Sequence, residues 1–311
     1  MNEPMQKYMK VGIVYPMAYP RITSGEASIE DTIKKIALDD YFDAIEIVHI
    51  PDLAVRRKVS KIINTAGLTV SYGGGARLLQ HRLNVNHLDE GERQKAVACL
   101  REGIDEAFEV GAVDFAFLSG PYNEDSKEKA LLALVQSTKE LCAYAKARGN
   151  LMIVLEVFDY DVDKKSLIGP VCLAKRFAEA VRKEYDNFGL MVDLSHLPQL
   201  RESASEAILP IKDFLVHVHI GNCVIKDPAL PGYGDQHPRF GFPESENGCE
   251  QLVDFLKMLF VVRYLNDQRP IVSFEVKPFG DEDPDLVIAN AKRTLNLAWA
   301  KLGGADAGLS V

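Results

Sequence analysis

Residues 188–223 read FGLMVDLSHLPQLRESASEAILPIKDFLVHVHIGNC, and this stretch carries the pattern that decides the fold. A β-branched apolar run at 188–195 precedes a helical pattern at 203–213, and a second apolar run follows at 215–222. A strand, a helix and another strand in this order predict a βαβ unit with two parallel strands.

The same alternation of strand and helix extends along the whole chain. Predicted strands lie at 10–16, 43–50, 68–74, 113–120, 151–158, 188–195, 215–222 and 270–278. Helical patterns lie at 28–41, 51–66, 89–110, 127–148, 169–185, 203–213, 249–259 and 284–302. Eight such units in 311 residues predict an α/β fold, a single (β/α)₈ TIM-barrel domain spanning 1–311. A doubly wound sheet is the alternative, but no glycine-rich dinucleotide loop follows the first strand.

One long irregular segment interrupts the alternation after the seventh predicted strand. Residues 222–248, NCVIKDPALPGYGDQHPRFGFPESENG, are rich in proline and glycine. Loops of this length in compact domains are usually functional. This one would lie over the face where (β/α)₈ barrels have their active sites.

Charge and hydropathy exclude several classes of protein. The formal net charge is −9 and no lysine- or arginine-rich block occurs, which argues against a nucleic-acid partner. No apolar run reaches the roughly 18–20 residues that a membrane span needs, and the apolar N-terminal segment reads as a strand. The five cysteines form no CxxC pair, which predicts reduced thiols and a cytoplasmic protein.

Four strands in succession carry a polar residue near their carboxyl ends. These residues are Glu156, Asp193, His219 and Glu275. A carboxylate that follows apolar residues is costly to bury unless it is paired or binds a cation. Three carboxylates and one imidazole at one barrel mouth therefore predict a divalent metal site, which suits Mn²⁺, Mg²⁺ or Co²⁺ and does not exclude Zn²⁺.

Two histidines on the seventh predicted strand face the same side, because alternate side chains of a strand share a face. His219 lies nearest the strand end and is the predicted ligand. His217 lies one layer deeper, and we expect it to be a hydrogen-bonded core residue.

These motifs resemble those of the xylose-isomerase-like TIM barrels, which include D-tagatose 3-epimerase, inosose dehydratase and the AP endonuclease relatives. The resemblance rests on LE at 155–156, DLSH at 193–196, HVHIGN at 217–222 and FE at 274–275. It implies that Glu156, Asp193, His219 and Glu275 bind the metal and that His196 contacts the substrate, where His196 would hydrogen-bond a sugar oxygen or move protons between oxygens as a catalytic residue. It also implies that the two glutamates act as a catalytic acid and base on opposite faces of a keto-sugar.

A divalent ion at such a site would make the C–H next to a sugar carbonyl acidic, so that a nearby carboxylate could remove its proton. Reprotonation would then give an epimer or isomer, whereas loss of a substituent would be an elimination. Further candidates for substrate binding are His49, Lys226, His237 and Lys277.

The segment after the seventh strand departs from the ketose-epimerase pattern, which reads roughly HxGExNR. Here Asn222 replaces the acid, and no arginine follows, with Lys226 one place later. The chain is similar instead to the catalytic α subunits of bacterial C-glycoside deglycosidases. That resemblance implies a 3-oxo-glucosyl C-glycoside as substrate, C-glycosidic bond cleavage as the reaction, and a small β-sandwich partner subunit within a higher oligomer.

Three functions thus remain, and cleavage of a C-glycoside is the favoured interpretation. A keto-sugar isomerase or epimerase of the D-tagatose 3-epimerase type is the alternative. An AP-endonuclease-like repair enzyme is the least favoured, because it would need a basic groove and additional metal-binding histidines, whereas the chain carries a net charge of −9.

Overall fold

The structure, a computed structural model, describes residues 3–22 and 25–304. Eight strands form one parallel sheet: β1 (Lys10–Ile13), β2 (Ala44–Ile47), β3 (Thr69–Gly73), β4 (Asp114–Leu118), β5 (Met152–Glu156), β6 (Phe188–Asp193), β7 (Leu215–Gly221) and β8 (Ile271–Glu275). Each lies within a segment predicted as a strand. Strands β2 to β8 pair in chain order, and β8 pairs with β1.

The first and second strands close this sheet into a barrel. Val14, which follows β1, forms a parallel bridge with Glu46 of β2. The N–H of Asp43 donates to the carbonyl oxygen of Val11 over 2.8 Å, which adds a second link between the same strands. The predicted (β/α)₈ TIM barrel is therefore confirmed.

Helices follow every strand and cover the outside of the barrel. They are α1 (Tyr15–Ala18), α2 (Ile29–Leu38), α3 (Leu53–Ala66), α4 (Gly75–His81), α5 (Glu90–Glu109), α6 (Lys127–Lys146), α7 (Val171–Arg182), α8 (His196–Leu200), α9 (Ala204–Ile208), α10 (Cys249–Val261) and α11 (Pro284–Gly304). Each of the eight predicted helical segments overlaps one of them, and α10 and α11 extend two residues beyond the predicted ends. The short helices α1, α4 and α8, directly after strands, were not predicted. Among the described residues, no helix has the length and apolar character needed to cross a lipid bilayer.

Polar side chains begin several of the longer helices, as helix entry requires. Asp52 accepts from the backbone N–H groups of Ala54 and Val55, and Asp89 accepts from that of Glu92. Each carboxylate thereby satisfies a donor that has no partner within the first turn of its helix.

Strand alternation decides which side chains enter the barrel. Ala116, Val154 and Met191 form a small buried cluster of their own, separate from the apolar layer between sheet and helices. Glu156 and Asp193 lie two residues beyond Val154 and Met191, so they point inward as well. Their layer forms the base of the barrel mouth.

The segment between β7 and α10 is the long loop that the sequence predicts. Within it Val224 bridges to Tyr233, and Pro238 forms a parallel bridge with Lys277, which follows β8. The N–H of Lys277 donates to the carbonyl oxygen of His237 over 2.7 Å. The loop is therefore held against the carboxyl end of β8.

Candidate active site

The four polar residues at the strand ends meet at the carboxyl face of the barrel. Glu156, Asp193, His219 and Glu275 each offer a ligand atom, and these atoms all lie within 4.8 Å of one another. Nδ1 of His219 lies 2.7 Å from Oε2 of Glu275 and 3.8 Å from Oε1 of Glu156. The register brings them to one level, because Asp193 pairs with His219 on the neighbouring strand.

The donor set fits a divalent cation. Oε1 of Glu156 and Oδ2 of Asp193 are buried and have no hydrogen-bond partner among the described residues. Three carboxylates close together in a buried layer also leave negative charge that a cation would balance. Oxygen-rich sets of this kind suit hard divalent ions, so Glu156, Asp193, His219 and Glu275 would hold the ion.

The surroundings shift the pKa values of Glu156 and Glu275 in opposite directions. Burial, followed by the nearby charge of Glu275, raises the pKa of Glu156 to about 8. Burial also disfavours the ionised form of Glu275, but the charges of His237 and His219 outweigh it and lower its pKa to about 2. Without a cation, therefore, Glu156 holds a proton at neutral pH and Glu275 does not.

The deeper histidine of β7 is a core residue, as the sequence predicts. His217 is 1% exposed, its Nε2 lies 2.8 Å from Oε1 of Glu46, and its Nδ1 lies 3.0 Å from Oδ2 of Asp114. Burial opposes protonation of His217, but these two carboxylates raise its pKa to about 9. Both ring nitrogens thus have protein partners.

His196, the predicted catalytic and substrate-binding histidine, is also fully engaged within the protein. Its Nδ1 lies 2.9 Å from the carbonyl oxygen of Val157, and its Nε2 lies 2.9 Å from Oδ1 of Asp235. The side chain is 1% exposed and does not line the main pocket. In this structure His196 positions Asp235, and its contact with substrate stays a prediction.

His237, predicted to bind substrate, lies against the four strand-end residues. Its Nε2 is 2.7 Å from Oδ1 of Asp235. Its Nδ1 has no hydrogen-bond partner within the described part of the chain and is 3.6 Å from Oδ2 of Asp193. Asp193, His196 and His237 form another group whose potential ligand atoms lie within 4.8 Å of one another. The long loop therefore delivers a buried imidazole to the site.

A cavity of about 300 Å³ opens above the four residues. Its polar lining residues include Glu156, Lys164, His219, Asp235, Glu275 and Lys277. Its apolar lining residues include Met17, Leu79 and Phe117. The pocket therefore offers both charged and apolar groups to a ligand.

Lys164 reaches this pocket because the loop after β5 is folded tightly around one carboxylate. Asp159 is buried and accepts from the backbone N–H groups of Val162, Asp163 and Lys164. The ammonium group of Lys164 then pairs with Asp235 of the long loop. No sequence pattern singled out Lys164, since its position depends on this turn.

Of the other predicted substrate-binding residues, the structure places Lys277 in the pocket and His49 and Lys226 outside its lining. Lys277 shares the inward face with Glu275, two residues earlier. His49 lies an odd number of residues beyond the inward-facing Glu46, so it turns toward the helices and contacts Glu106 and Arg77. Lys226 is exposed and pairs with Glu244 over 3.0 Å.

Several solved structures with similar folds are named as sugar epimerases. D-Psicose 3-epimerase from Clostridium cellulolyticum H10, solved with D-tagatose, is 19% identical, with a TM-score of 0.70 over 94% of this chain and 99% of that one. An L-ribulose 3-epimerase is 16% identical, with a TM-score of 0.70 over 97% and 98%. A 3-keto-D-glucoside 4-epimerase from E. coli, in its apo form, is 16% identical, with a TM-score of 0.67 over 93% and 99%.

Comparisons of sequence alone assign the family. No curated protein matches the chain. The family model described as the xylose isomerase-like TIM barrel matches residues 36–294, which is most of the 311-residue chain. The chain therefore belongs to the xylose isomerase-like TIM barrel family.

Proposed function

We propose that the protein is a divalent-metal-dependent sugar isomerase or epimerase that moves a proton next to a sugar carbonyl. The observation that carries this proposal is the convergence of Glu156, Asp193, His219 and Glu275 within 4.8 Å at the base of the pocket. The family supports an enzyme, and the names of the similar structures, ketose 3-epimerases among them, favour an epimerase over the cleavage reaction that the sequence suggested.

The cation would polarise a substrate carbonyl and so increase the acidity of the neighbouring C–H. Glu275 and Glu156 both line the pocket and are the acid–base candidates. Glu275, whose pKa is low, is ionised and would accept the proton at its carboxylate. Glu156 would return a proton to the sugar after its carboxylate, which is ionised when the cation is bound, has taken one up from solvent.

Two lysines are among the polar lining residues of the pocket and would orient the sugar. Lys164 and Lys277 both line it, and neither ammonium group can accept a hydrogen bond. They would therefore donate to hydroxyl or carbonyl oxygens of the substrate. Such charge-assisted hydrogen bonds would hold the C–H to be broken close to the carboxylates.

A second candidate is elimination of the aglycone from a 3-oxo-glucosyl C-glycoside, and a second cavity beside the main pocket favours it. An adjoining cavity of about 290 Å³ shares Leu79, Leu118 and Lys164 with the main pocket. A substrate with an apolar group attached to its sugar would fill both cavities. The same proton abstraction beside the carbonyl would form a carbon–carbon double bond in the sugar as the bond to the aglycone breaks, and the departing carbon would take up a proton.

The partner subunit and the oligomer are further parts of this proposal. A small β-sandwich subunit is expected for the deglycosidase reading, and light scattering of the purified protein, alone and with a candidate subunit, tests that expectation. The cytoplasmic location, the absence of nucleic-acid and membrane partners, and Mn²⁺ as the ion likewise stay predictions from the sequence.

One experiment in D₂O separates the two reactions. The Mn²⁺-loaded protein is incubated with D-fructose, D-tagatose, D-psicose, a 3-keto-D-glucoside and a 3-oxo-C-glucoside of an aromatic aglycone. Exchange of a sugar C–H for deuterium in NMR spectra supports the isomerase or epimerase, and release of free aglycone supports the elimination. Loss of either reaction in Glu156→Gln and Glu275→Gln, but not in the exposed variant Lys58→Gln, assigns it to this site. If no substrate exchanges or is cleaved, the proposed function is wrong.

A further inference from the structure

Glu46 of β2 lies between the two histidines of β7, in the interior of the barrel. Its Oε1 is 2.8 Å from Nε2 of His217 and 3.0 Å from Nε2 of His219, and its Oε2 is 3.1 Å from the same His219 nitrogen. The residue is 4% exposed. An ionised carboxylate can only accept hydrogen bonds, so both histidines donate an Nε2–H to it.

This contact determines which nitrogen of His219 faces the four strand-end residues. With Nε2 bound to Glu46, only Nδ1 is directed toward Glu156 and Glu275, at 3.8 Å and 2.7 Å from their nearest oxygens. A histidine that binds a metal through one nitrogen commonly donates its other N–H to a carboxylate, which fixes the ring and its tautomer.

We propose that Glu46 is the positioning residue of the metal site: it holds His219 in the Nε2–H tautomer, so that Nδ1 is the ligand atom. This inference rests on the metal site of the proposed function and adds a residue outside the four predicted ligands. Glu46 acts on the metal site through His219. Because Glu46 also lines the main pocket, its effect is measured on metal binding and not on turnover.

Further buried groups hold Glu46 in place from behind. His217 bonds to its Oε1 on one side and to Asp114 on the other, at 2.8 Å and 3.0 Å. Asp114 in turn accepts from the hydroxyl of Ser71. The backbone of Glu46 is also fixed, because it takes part in the bridge that closes the barrel. Because both the side chain and the backbone of Glu46 are held, its carboxylate can keep the imidazole of His219 in one orientation.

A second metal ion between Glu46, His217 and His219 would be the competing explanation, since their potential ligand atoms also lie within 4.8 Å of one another. Their hydrogen bonding argues against it. The ring nitrogens and both carboxylate oxygens of this group have partners within the protein. In contrast, Glu156 and Asp193 each have a buried oxygen that no residue in 3–22 or 25–304 hydrogen-bonds.

Metal affinity tests the inference without a substrate. Mn²⁺ is titrated calorimetrically into the metal-free wild type and into Glu46→Gln. We expect the variant to bind one ion about 10–100-fold more weakly, the usual effect of losing such an outer partner. Glu106→Gln is the matched control, because Glu106 is 3% exposed and contacts none of the four predicted ligands. The Mn²⁺ affinity of Glu106→Gln should equal that of the wild type.

The tautomer itself is a second readout that needs no variant. In ¹⁵N spectra of histidine-labelled wild type loaded with diamagnetic Zn²⁺, the proton of His219 should be on Nε2. A proton on Nδ1 would overturn the inference, and so would equal Mn²⁺ affinities in wild type and Glu46→Gln. Binding of two ions by wild type, both weakened in the variant, would favour the second metal site instead. If wild type binds no divalent ion, the proposed function fails as well.

Discussion

The ammonium group of Lys164 pairs with the carboxylate of Asp235, and this contact joins the loop after β5 to the long loop after β7. The pair lies at the edge of the pocket, beside the strand-end residues. Asp235 also accepts from His196 and His237, so one carboxylate connects three side chains from two loops and α8. Lys164, Asp235, His196 and His237 therefore form one connected group beside the pocket.

Replacement of Lys164 by methionine should reduce kcat/KM about 10–100-fold on whichever substrate the D₂O experiment identifies. The physical reason is the loss of a charged donor to the substrate, together with the loosening of Asp235. The adjacent variant Lys165→Met is a matched control, because Lys165 is exposed and does not line the pocket. Similar losses in both variants would contradict a role for Lys164.

The metal content of purified variants tests the predicted ligands. His219→Ala and Glu156→Gln should lose most of the ion that the wild type retains, because each removes a donor from the cluster of four. His81→Ala, which removes an exposed histidine elsewhere, should keep the wild-type stoichiometry. Elemental analysis after dialysis measures this directly. Equal ion content in all four proteins would exclude the site.

Metal affinity should increase with pH, because burial and Glu275 raise the pKa of Glu156 to about 8. Below that value Glu156 holds a proton that must leave before its oxygen can bind a cation. We expect Mn²⁺ binding to strengthen by at least about tenfold per pH unit from about pH 6 to about pH 8, because His219 must lose a proton as well: despite its burial, Glu46 and Glu275 raise its pKa well above the usual value.

The same shift affects the metal-free fold with the opposite sign. Because the folded pKa of Glu156 is above the ordinary value of 4.5, this residue makes the metal-free protein less stable as the pH rises toward about 8. Thermal unfolding of Glu156→Gln should depend less on pH over this interval. Calorimetric titrations that give the same Mn²⁺ affinity at about pH 6 and about pH 8 would refute the predicted pH dependence of metal binding.

Gly221 ends β7 where no larger side chain fits. A Cβ atom there would lie 2.6 Å from the carbonyl oxygen of Glu275 and 3.2 Å from Nδ1 of His237. Gly221→Ala should therefore destabilise the protein by about 1–3 kcal/mol and weaken Mn²⁺ binding, since both neighbours must move. Gly248→Ala is the control, because its nearest atom, of Gln251, is 3.6 Å away. Chemical denaturation measures the stability and calorimetry measures the Mn²⁺ affinity of both variants. Equal losses in Gly221→Ala and Gly248→Ala would contradict the prediction.

The sequence alone was enough to predict the barrel and the convergence of its strand-end residues. Buried parallel strands need β-branched apolar runs, and all eight such runs became strands. Because parallel strands end at the same face, Glu156, Asp193, His219 and Glu275 had to come together once the barrel closed. Alternation within one strand also predicted His217 as a core residue behind His219.

Only the tertiary structure decided how those residues are supported and which loop residues reach them. Glu46 meets His219 because the barrel brings β2 and β7 across its interior, a contact between residues 173 positions apart. Lys164 and His237 enter the site, while His49 and Lys226 turn away, because hydrogen bonds from distant groups fix the conformations of loops and strand ends. Local sequence patterns predict which residues share one face of a strand or a helix. The contacts described above depend instead on packing between segments far apart in the chain.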